Sequence, residues 1–439
     1  MLRRLDEKPA SVEISKAFYP APFKAGLEYN PPARGVWNIV HTGMLVPQSH
    51  QIFACAQGCL RGVLLTAAEM NAMDRMSWIA VEEEDMFDGT MEQDIIDGTA
   101  DILKKLPCRP RSVLLFISCI QLFAGCDFEM ILSELRAQFP DIDFTDCYMT
   151  PTMRKTISPD AKMRMQLYDA LRPLSLNKRS VNIIGCDRPL DEDTELLKII
   201  RSNGFTLRDL TLCRTYDEYL EMAESAVNIT CMPAAKLSGE RLSDRFGAKH
   251  LYLPISFDVK TIEENYKLLC DTLDIDIPDF SKDISAAERT MKTAAEKLSG
   301  RVIAIDFTAA ARPFELAKVL CKYGFKVKYI FADSISEEDK LSFEWLKENF
   351  PNIRICSVTG SAMLFTSADE SECSKIVAIG QKAAFYCRTD HFVNTVANGG
   401  LYGIAGVKKL AELISDAAET PKDRRKVIQH KGIGCPSCL

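Results

Sequence analysis

Short apolar runs recur along the chain, each followed by a stretch whose apolar positions have helical spacing. Val113-Leu114-Leu115-Phe116-Ile117 precedes a helical pattern over 128–139, and Val181-Asn182-Ile183-Ile184-Gly185 precedes one over 191–202. Val302-Ile303-Ala304-Ile305 precedes 313–323, Val327-Lys328-Tyr329-Ile330-Phe331 precedes 337–349, and 375–380 reads as one more buried strand. Runs rich in β-branched residues that alternate with helices predict βαβ units and parallel sheets. Ser334-Ile335-Ser336-Glu337-Glu338 and Thr215-Tyr216-Asp217-Glu218 carry the hydroxyl and carboxylate residues of helix starts.

These units fall into three blocks, 1–173, 180–281 and 300–439. A polar, turn-like stretch over 174–179 separates the first two, and a charged helical stretch over 286–298 leads through Gly300 into the third. The expected fold is therefore α/β, three Rossmann-like domains with parallel sheets flanked by helices. No block carries Gly-x-Gly-x-x-Gly after its first strand, nor Gly-x-x-x-x-Gly-Lys-Ser/Thr. Nucleotide chemistry is accordingly expected on a partner and not here.

The chain has 439 residues, 47% of them hydrophobic, which suffices for a sizeable core and excludes a disordered class. Its 61 acidic residues outnumber 54 basic ones, leaving no surplus to neutralise phosphates, so no nucleic-acid partner is expected. No apolar run reaches the roughly 18 residues of a membrane span. The start, Met1-Leu2-Arg3-Arg4-Leu5-Asp6-Glu7, has no apolar signal region. A cytoplasmic protein with no membrane association is expected.

Sixteen cysteines change this ordinary picture. In a reducing compartment structural disulfides are the wrong explanation, and most of these residues, Cys270 and Cys321 among them, are expected as small buried hydrophobes. Metal is the leading reason for the remainder. Three contexts stand out. Cys55-x-x-x-Cys59 follows Ser49-His50-Gln51-Ile52-Phe53-Ala54, and Cys119 stands just past a buried strand, with Cys126 in the loop leading to the next helix. Cys231 ends the apolar run Val227-Asn228-Ile229-Thr230, ahead of a helical pattern over 236–246. In open α/β sheets the crevice beyond the strands' carboxyl ends is where ligands bind, and soft sulfur donors suit iron–sulfur clusters or zinc. Cys55-x-x-x-Cys59 is compatible with two ligands or with a buried pair. Cys435-Pro436-Ser437-Cys438 has ligand spacing but lies at the end of the chain, where it is a metal-picking tail or an unimportant one.

At these contexts the sequence resembles component 1 of the nitrogenase superfamily, whose members include molybdenum–iron protein subunits, cofactor-assembly scaffolds and tetrapyrrole reductases. The family's Ser-His-Gly-Pro-x-Gly-Cys resembles Ser49-His50 through Cys55, and its upstream Gly-Val-Val-Trp resembles Gly35-Val36-Trp37. Its Glu-Cys-Pro-x-x-Leu-Ile-Gly-Asp-Asp-Ile-Glu resembles Ser118-Cys119 through Gly125-Cys126-Asp127-Phe128-Glu129. An aromatic-Gly pair follows the α-subunit's metallocluster cysteine at the spacing of Phe246-Gly247 from Cys231, and the family's Gly-Tyr-x-Gly helix start resembles Gly403-Ile404-Ala405-Gly406. The resemblance runs from about Gly35 to Ala418, and the three-domain fold it implies agrees with the pattern already read.

The departures are equally specific. Tyr29 and Asn30 stand where the family's first cluster cysteine would, Gly-Pro is lost after His50, and the cofactor histidine would fall near Val393, with His391 out of register. They set the chain apart from a conventional dinitrogen-reducing α-subunit. The resemblance implies an iron–sulfur cluster ([4Fe-4S] fitting better than a P-cluster) on Cys55 and Cys119, with Cys59 or Cys126 as a further ligand. Cys231 is then a site for a second metallocluster, completed by His391, or a remnant of ancestry. His50 either hydrogen-bonds beside the cluster or is a satisfied polar histidine. Asp306 and Arg312, after the third block's first strand, line an anionic pocket or are caps and solvated charges.

The implied activity is that of the catalytic component of a two-component, nitrogenase-like reductase. Its partners would be an ATP-hydrolysing iron protein, a second component-1 subunit (identical or paralogous) and a small-molecule substrate. A metallocluster assembly scaffold and a tetrapyrrole reductase subunit are the alternatives.

Overall fold

The computed structural model describes residues 10–29, 31, 35, 38–150, 157–365 and 373–429. The chain begins with a short strand, β1 (Ser11–Glu13), and then builds a first sheet from β2 (Ser49–Cys55), β3 (Met76–Ala80), β4 (Ser112–Ser118) and β5 (Asp143–Met149). A second sheet follows, from β6 (Asn177–Ile184), β7 (Thr206–Asp209), β8 (Ser225–Thr230) and β9 (Lys249–Tyr252). The third contains β10 (Val302–Asp306), β11 (Val327–Phe331), β12 (Arg354–Cys356), β13 (Ile376–Ile379) and β14 (Phe392–Val393).

The strand orders are β3-β2-β4-β5, β7-β6-β8-β9 and β1-β12-β11-β10-β13-β14, and every pairing is parallel except that of β1 with β12. In each sheet the chain works outwards from a central strand on one side and then returns to the other. The order therefore reverses between β2 and β4, between β6 and β8, and between β10 and β13. Such reversals open a crevice at the carboxyl ends of the two strands. The α/β class with parallel sheets and flanking helices is as the sequence pattern implies.

β2 and β4 are buried along their whole length, as parallel strands covered on both faces must be. On one face Phe53 and Phe116 stack at 4.2 Å, and the cluster around them takes in Ile184, Tyr216, Tyr219 and Leu242 from the second block. A larger cluster joins Val181, Ile229 and Tyr266 to Ile305, Phe314 and Val407, so the second and third blocks also share a core. Cys270 and Cys321 are buried in it, as their helical spacing suggests.

Two expected boundaries shift. β1 lies in sequence within the first block yet forms the edge of the third sheet, with Val12 opposite Ile355. β6 starts at Asn177, inside the stretch read as a turn, because its first three residues are exposed and polar and pair irregularly with β8.

Candidate functional site

The switch point of the first sheet carries the cysteines. Ala54 pairs with Ile117, so Cys55, the last residue of β2, stands beside Ser118 at the end of β4. Ser118 then caps the helix Cys119–Ala124: its backbone N–H and hydroxyl donate to Gln121 Oε1 at 2.9 and 2.8 Å. Gln121 Nε2 donates back to the Ala54 carbonyl at 2.9 Å, which docks the start of this helix against the end of β2. Cys59 is exposed in the first turn of the helix Gln57–Glu69. Cys55, Cys59 and Cys119 thus share one rim. The Cys55 thiol is buried, and burial followed by the nearby Cys59 pushes its pKa up to about 12.

Cys126 is turned elsewhere. It lies on the face of β2 and β4 that carries Ile52, Ala54 and Ile117, opposite the face of Phe53 and Cys55. Burial raises its thiol to about 12, helped by Glu92 of the helix Met91–Lys105, to which the thiol hydrogen-bonds. Glu92 Oε1 also accepts from the Asp127 backbone N–H at 3.2 Å. Among the described residues, no three His, Cys, Asp or Glu side chains converge in metal-binding geometry. The rim therefore offers sulfur, a donor type that suits iron–sulfur clusters, without a complete ligand set among the described residues.

His50 is not beside Cys55. A separation of five along a strand puts the two side chains on opposite faces, and a rise of about 3.3 Å per residue places His50 roughly 16 Å away at the other end of β2. Its Nε2 lies 2.8 Å from Ser77 Oγ. Burial, and then the charge of Arg75, lower its pKa to about 4. There it borders a 620 Å³ cavity with Arg75, Arg109 and Arg111, at the edge of the sheet remote from Cys55 and Cys119.

The second sheet repeats the arrangement. Cys231 follows β8, its carbonyl accepting from Ile255 N–H at 3.0 Å, and its buried thiol hydrogen-bonds that of Cys186. That bond, together with burial, pushes the Cys231 thiol well up. Cys186 has no distinguishing local motif; it joins Cys231 because Ile184 and Thr230 are paired in adjacent parallel strands. Around them Tyr402 donates to the Leu253 carbonyl at 3.2 Å, and Arg312 Nη2 donates to the Ile255 carbonyl at 2.8 Å. Tyr252 donates to Glu338 Oε2 at 2.8 Å, and Lys236 Nζ lies 2.6 Å from Glu338 Oε1.

His391 does not complete this site. Its Nδ1 is 2.9 Å from the carbonyl of Ala417, near the end of the helix Gly403–Glu419, whereas Tyr402 at the helix start is the residue near Cys231. The helix between them spans about 22 Å. The family-like Gly403 does begin that helix: its φ is +69°, and a Cβ there would lie 2.0 Å from the Tyr266 hydroxyl. Glu195 then accepts the Ile404 and Ala405 N–H groups at 3.0 and 2.9 Å. Phe246 and Gly247 form the end and left-handed cap of the helix Lys236–Phe246.

At the third switch point Asp306 is a buried cap. Its carboxylate accepts N–H groups from Thr308 at 2.8 Å, Ala309 at 3.1 Å and Ala383 at 2.8 Å. Cys435 and Cys438, with Asn30, Val36 and Trp37, lie outside the described residues.

The family model for nitrogenase component 1 type oxidoreductases matches residues 41–378. No curated protein matches the chain by sequence. Among solved structures, nitrogenase Cp1 at pH 6.5 is similar with a TM-score of 0.68 and 13% identity, over 90% of this chain and 94% of that one. Nitrogenase Cp1 at pH 5 gives a TM-score of 0.58 at 12% identity, over 94% of each chain.

Proposed function

Because the chain belongs to the nitrogenase component 1 type oxidoreductase family, we propose that it is the catalytic component of a two-component, nitrogenase-like reductase. In this reading an ATP-hydrolysing iron protein delivers low-potential electrons, and the substrate is a small molecule. The observation that carries it is the placement of Cys55, Cys59 and Cys119 on one rim at the switch point of the first sheet.

Those three residues would hold the iron–sulfur cluster, with the balance of its ligands from a second component-1 subunit. When bound, such a cluster supplies one-electron transfer at a potential set by ligation, hydrogen bonding and exposure. Cys55 would surrender its proton on ligation, since its desolvated thiol is otherwise held neutral. Beside Cys119, Leu122 and Phe123 are 40% and 74% exposed, apolar surface at the rim that a second subunit would cover. Cys231 and Cys186 supply a pair of buried sulfur donors for a second metallocluster or for substrate, within reach of the Tyr402, Tyr252 and Arg312 network.

One observation favours the assembly-scaffold alternative. His391 sits against Ala417 at the far end of the helix Gly403–Glu419, about 22 Å along that helix from the Cys231 region, so a cluster at Cys231 would lack the histidine anchor and be released more readily.

Iron and acid-labile sulfide content with EPR, on anaerobically reconstituted protein, tests the common premise. About four irons per cluster, lost in Cys119→Ala, is expected. A folded protein that takes up no iron overturns both readings. Turnover with an added iron protein then separates reductase from scaffold.

A further inference from the structure

A 340 Å³ cavity opens at the amino-terminal edge of the third sheet, where the helices Ser281–Lys297 and Pro313–Lys322 end against the starts of β10 and β11. This is the opposite edge from Asp306 and from the other switch-point residues, so its occupant is separate from anything handled at the cysteines. The floor is apolar, with Leu298, Ile303 and Phe325 all buried. The rim carries Lys292, Arg301 and Lys326 against a single carboxylate, Glu296.

Two features give this cavity a chemistry. Nη1 of Arg301 is buried and has no hydrogen-bond acceptor among the described residues. A buried guanidinium N–H left unmatched costs stability, and an acceptor supplied by a ligand removes that cost. The second feature is the charge balance. Each helix carboxyl end presents about half a negative charge. With Glu296 this makes about two negative charges against three positive ones, leaving about one positive charge to be neutralised. A volume of this size lies within the usual range for small-molecule sites.

We infer that the cavity binds a small organic monocarboxylate, aromatic or short aliphatic. Its carboxylate accepts hydrogen bonds from Arg301 and Lys326, and its apolar body lies on Leu298, Ile303 and Phe325. Inorganic phosphate brings nearly two charges and no apolar body, so it satisfies the rim less well and the floor not at all.

Titration calorimetry and saturation-transfer NMR on the full chain test this with benzoate, hexanoate, hexylammonium and inorganic phosphate as probes. Benzoate or hexanoate is expected to bind, with affinity falling about tenfold or more in Arg301→Met, as the loss of a charge-assisted hydrogen bond implies. Arg301→Met removes an unmatched donor, so the unliganded variant should unfold at the same temperature as the parent or higher. Lys326→Gln, on the exposed rim, should weaken binding several-fold and decides the matter if Arg301→Met fails to fold. Absence of carboxylate binding, hexylammonium or phosphate binding as tightly as benzoate, or unchanged affinity in both variants would overturn the inference.

Discussion

Arg164 and Asp187 form a bidentate ion pair, Nη1 to Oδ1 at 2.7 Å and Nη2 to Oδ2 at 2.8 Å, across the junction of the first and second blocks. Arg164 is fully buried in the helix Pro159–Gln166, also pairs with Asp160 at 2.6 Å, and donates to the Gly185 carbonyl at 2.6 Å. Asp187 is next to Cys186, so this pair holds the turn that carries the Cys231 partner. Arg164→Met should destabilise the fold by about 3–5 kcal/mol, because it leaves two nearly buried carboxylates without their cation. Urea unfolding measures this, and a loss below about 1 kcal/mol would show that the pair behaves like an exposed one.

His50 makes stability depend on pH. Its folded pKa of about 4 lies below the ordinary value of 6.5, so the unfolded chain takes up its proton first on acidification. The contribution is therefore whole above pH 6.5 and is lost as pH falls towards 4. Between pH 7 and pH 5 wild type should lose about 2 kcal/mol relative to His50→Gln. Equal unfolding midpoints shifts for the two proteins over that range would mean that His50 keeps an ordinary pKa in the fold.

Much of the architecture is legible in the sequence because buried parallel strands are continuous apolar runs. Val327–Phe331 and the helix Lys236–Phe246 occupy the positions that their patterns indicate. β1 and the start of β6 are not legible, since a three-residue edge strand and an exposed polar strand end carry no apolar period. At the candidate sites, local motifs bring out Cys55, Cys119 and Cys231, but strand geometry decides their company. The odd spacing between His50 and Cys55 already places the two on opposite faces of β2, a signal available without coordinates. Cys186 becomes visible only through the register of β6 with β8.

Gly380 is expected to tolerate no side chain. Its φ of +106° disfavours other residues, and a Cβ would lie 2.3 Å from Asp306 Oδ2. That carboxylate is buried and committed to three backbone N–H groups, so it has no room to retreat. Gly380→Ala should cost about 3 kcal/mol or more, from backbone strain and displacement of the cap together. Thermal unfolding reads the loss, and an unchanged midpoint would mean that the turn between β13 and the helix Gln381–Cys387 can re-form around a methyl group.

The resemblance offers Cys59 or Cys126 as the further ligand, and the structure sets the two on different faces of the first sheet. Cys59 is exposed on the rim with Cys55, whereas the Cys126 thiol is engaged by Glu92 on the opposite face of the sheet. Moving Cys126 to the rim would break that hydrogen bond and take its side chain off the hydrophobic cluster it packs against. In anaerobic reconstitution Cys59→Ala should therefore lose most of its iron and its EPR signal, while Cys126→Ala retains both. The reverse pattern, in variants that remain folded by circular dichroism, would move the cluster to the face of Glu92 and remove Cys59 from the ligand set.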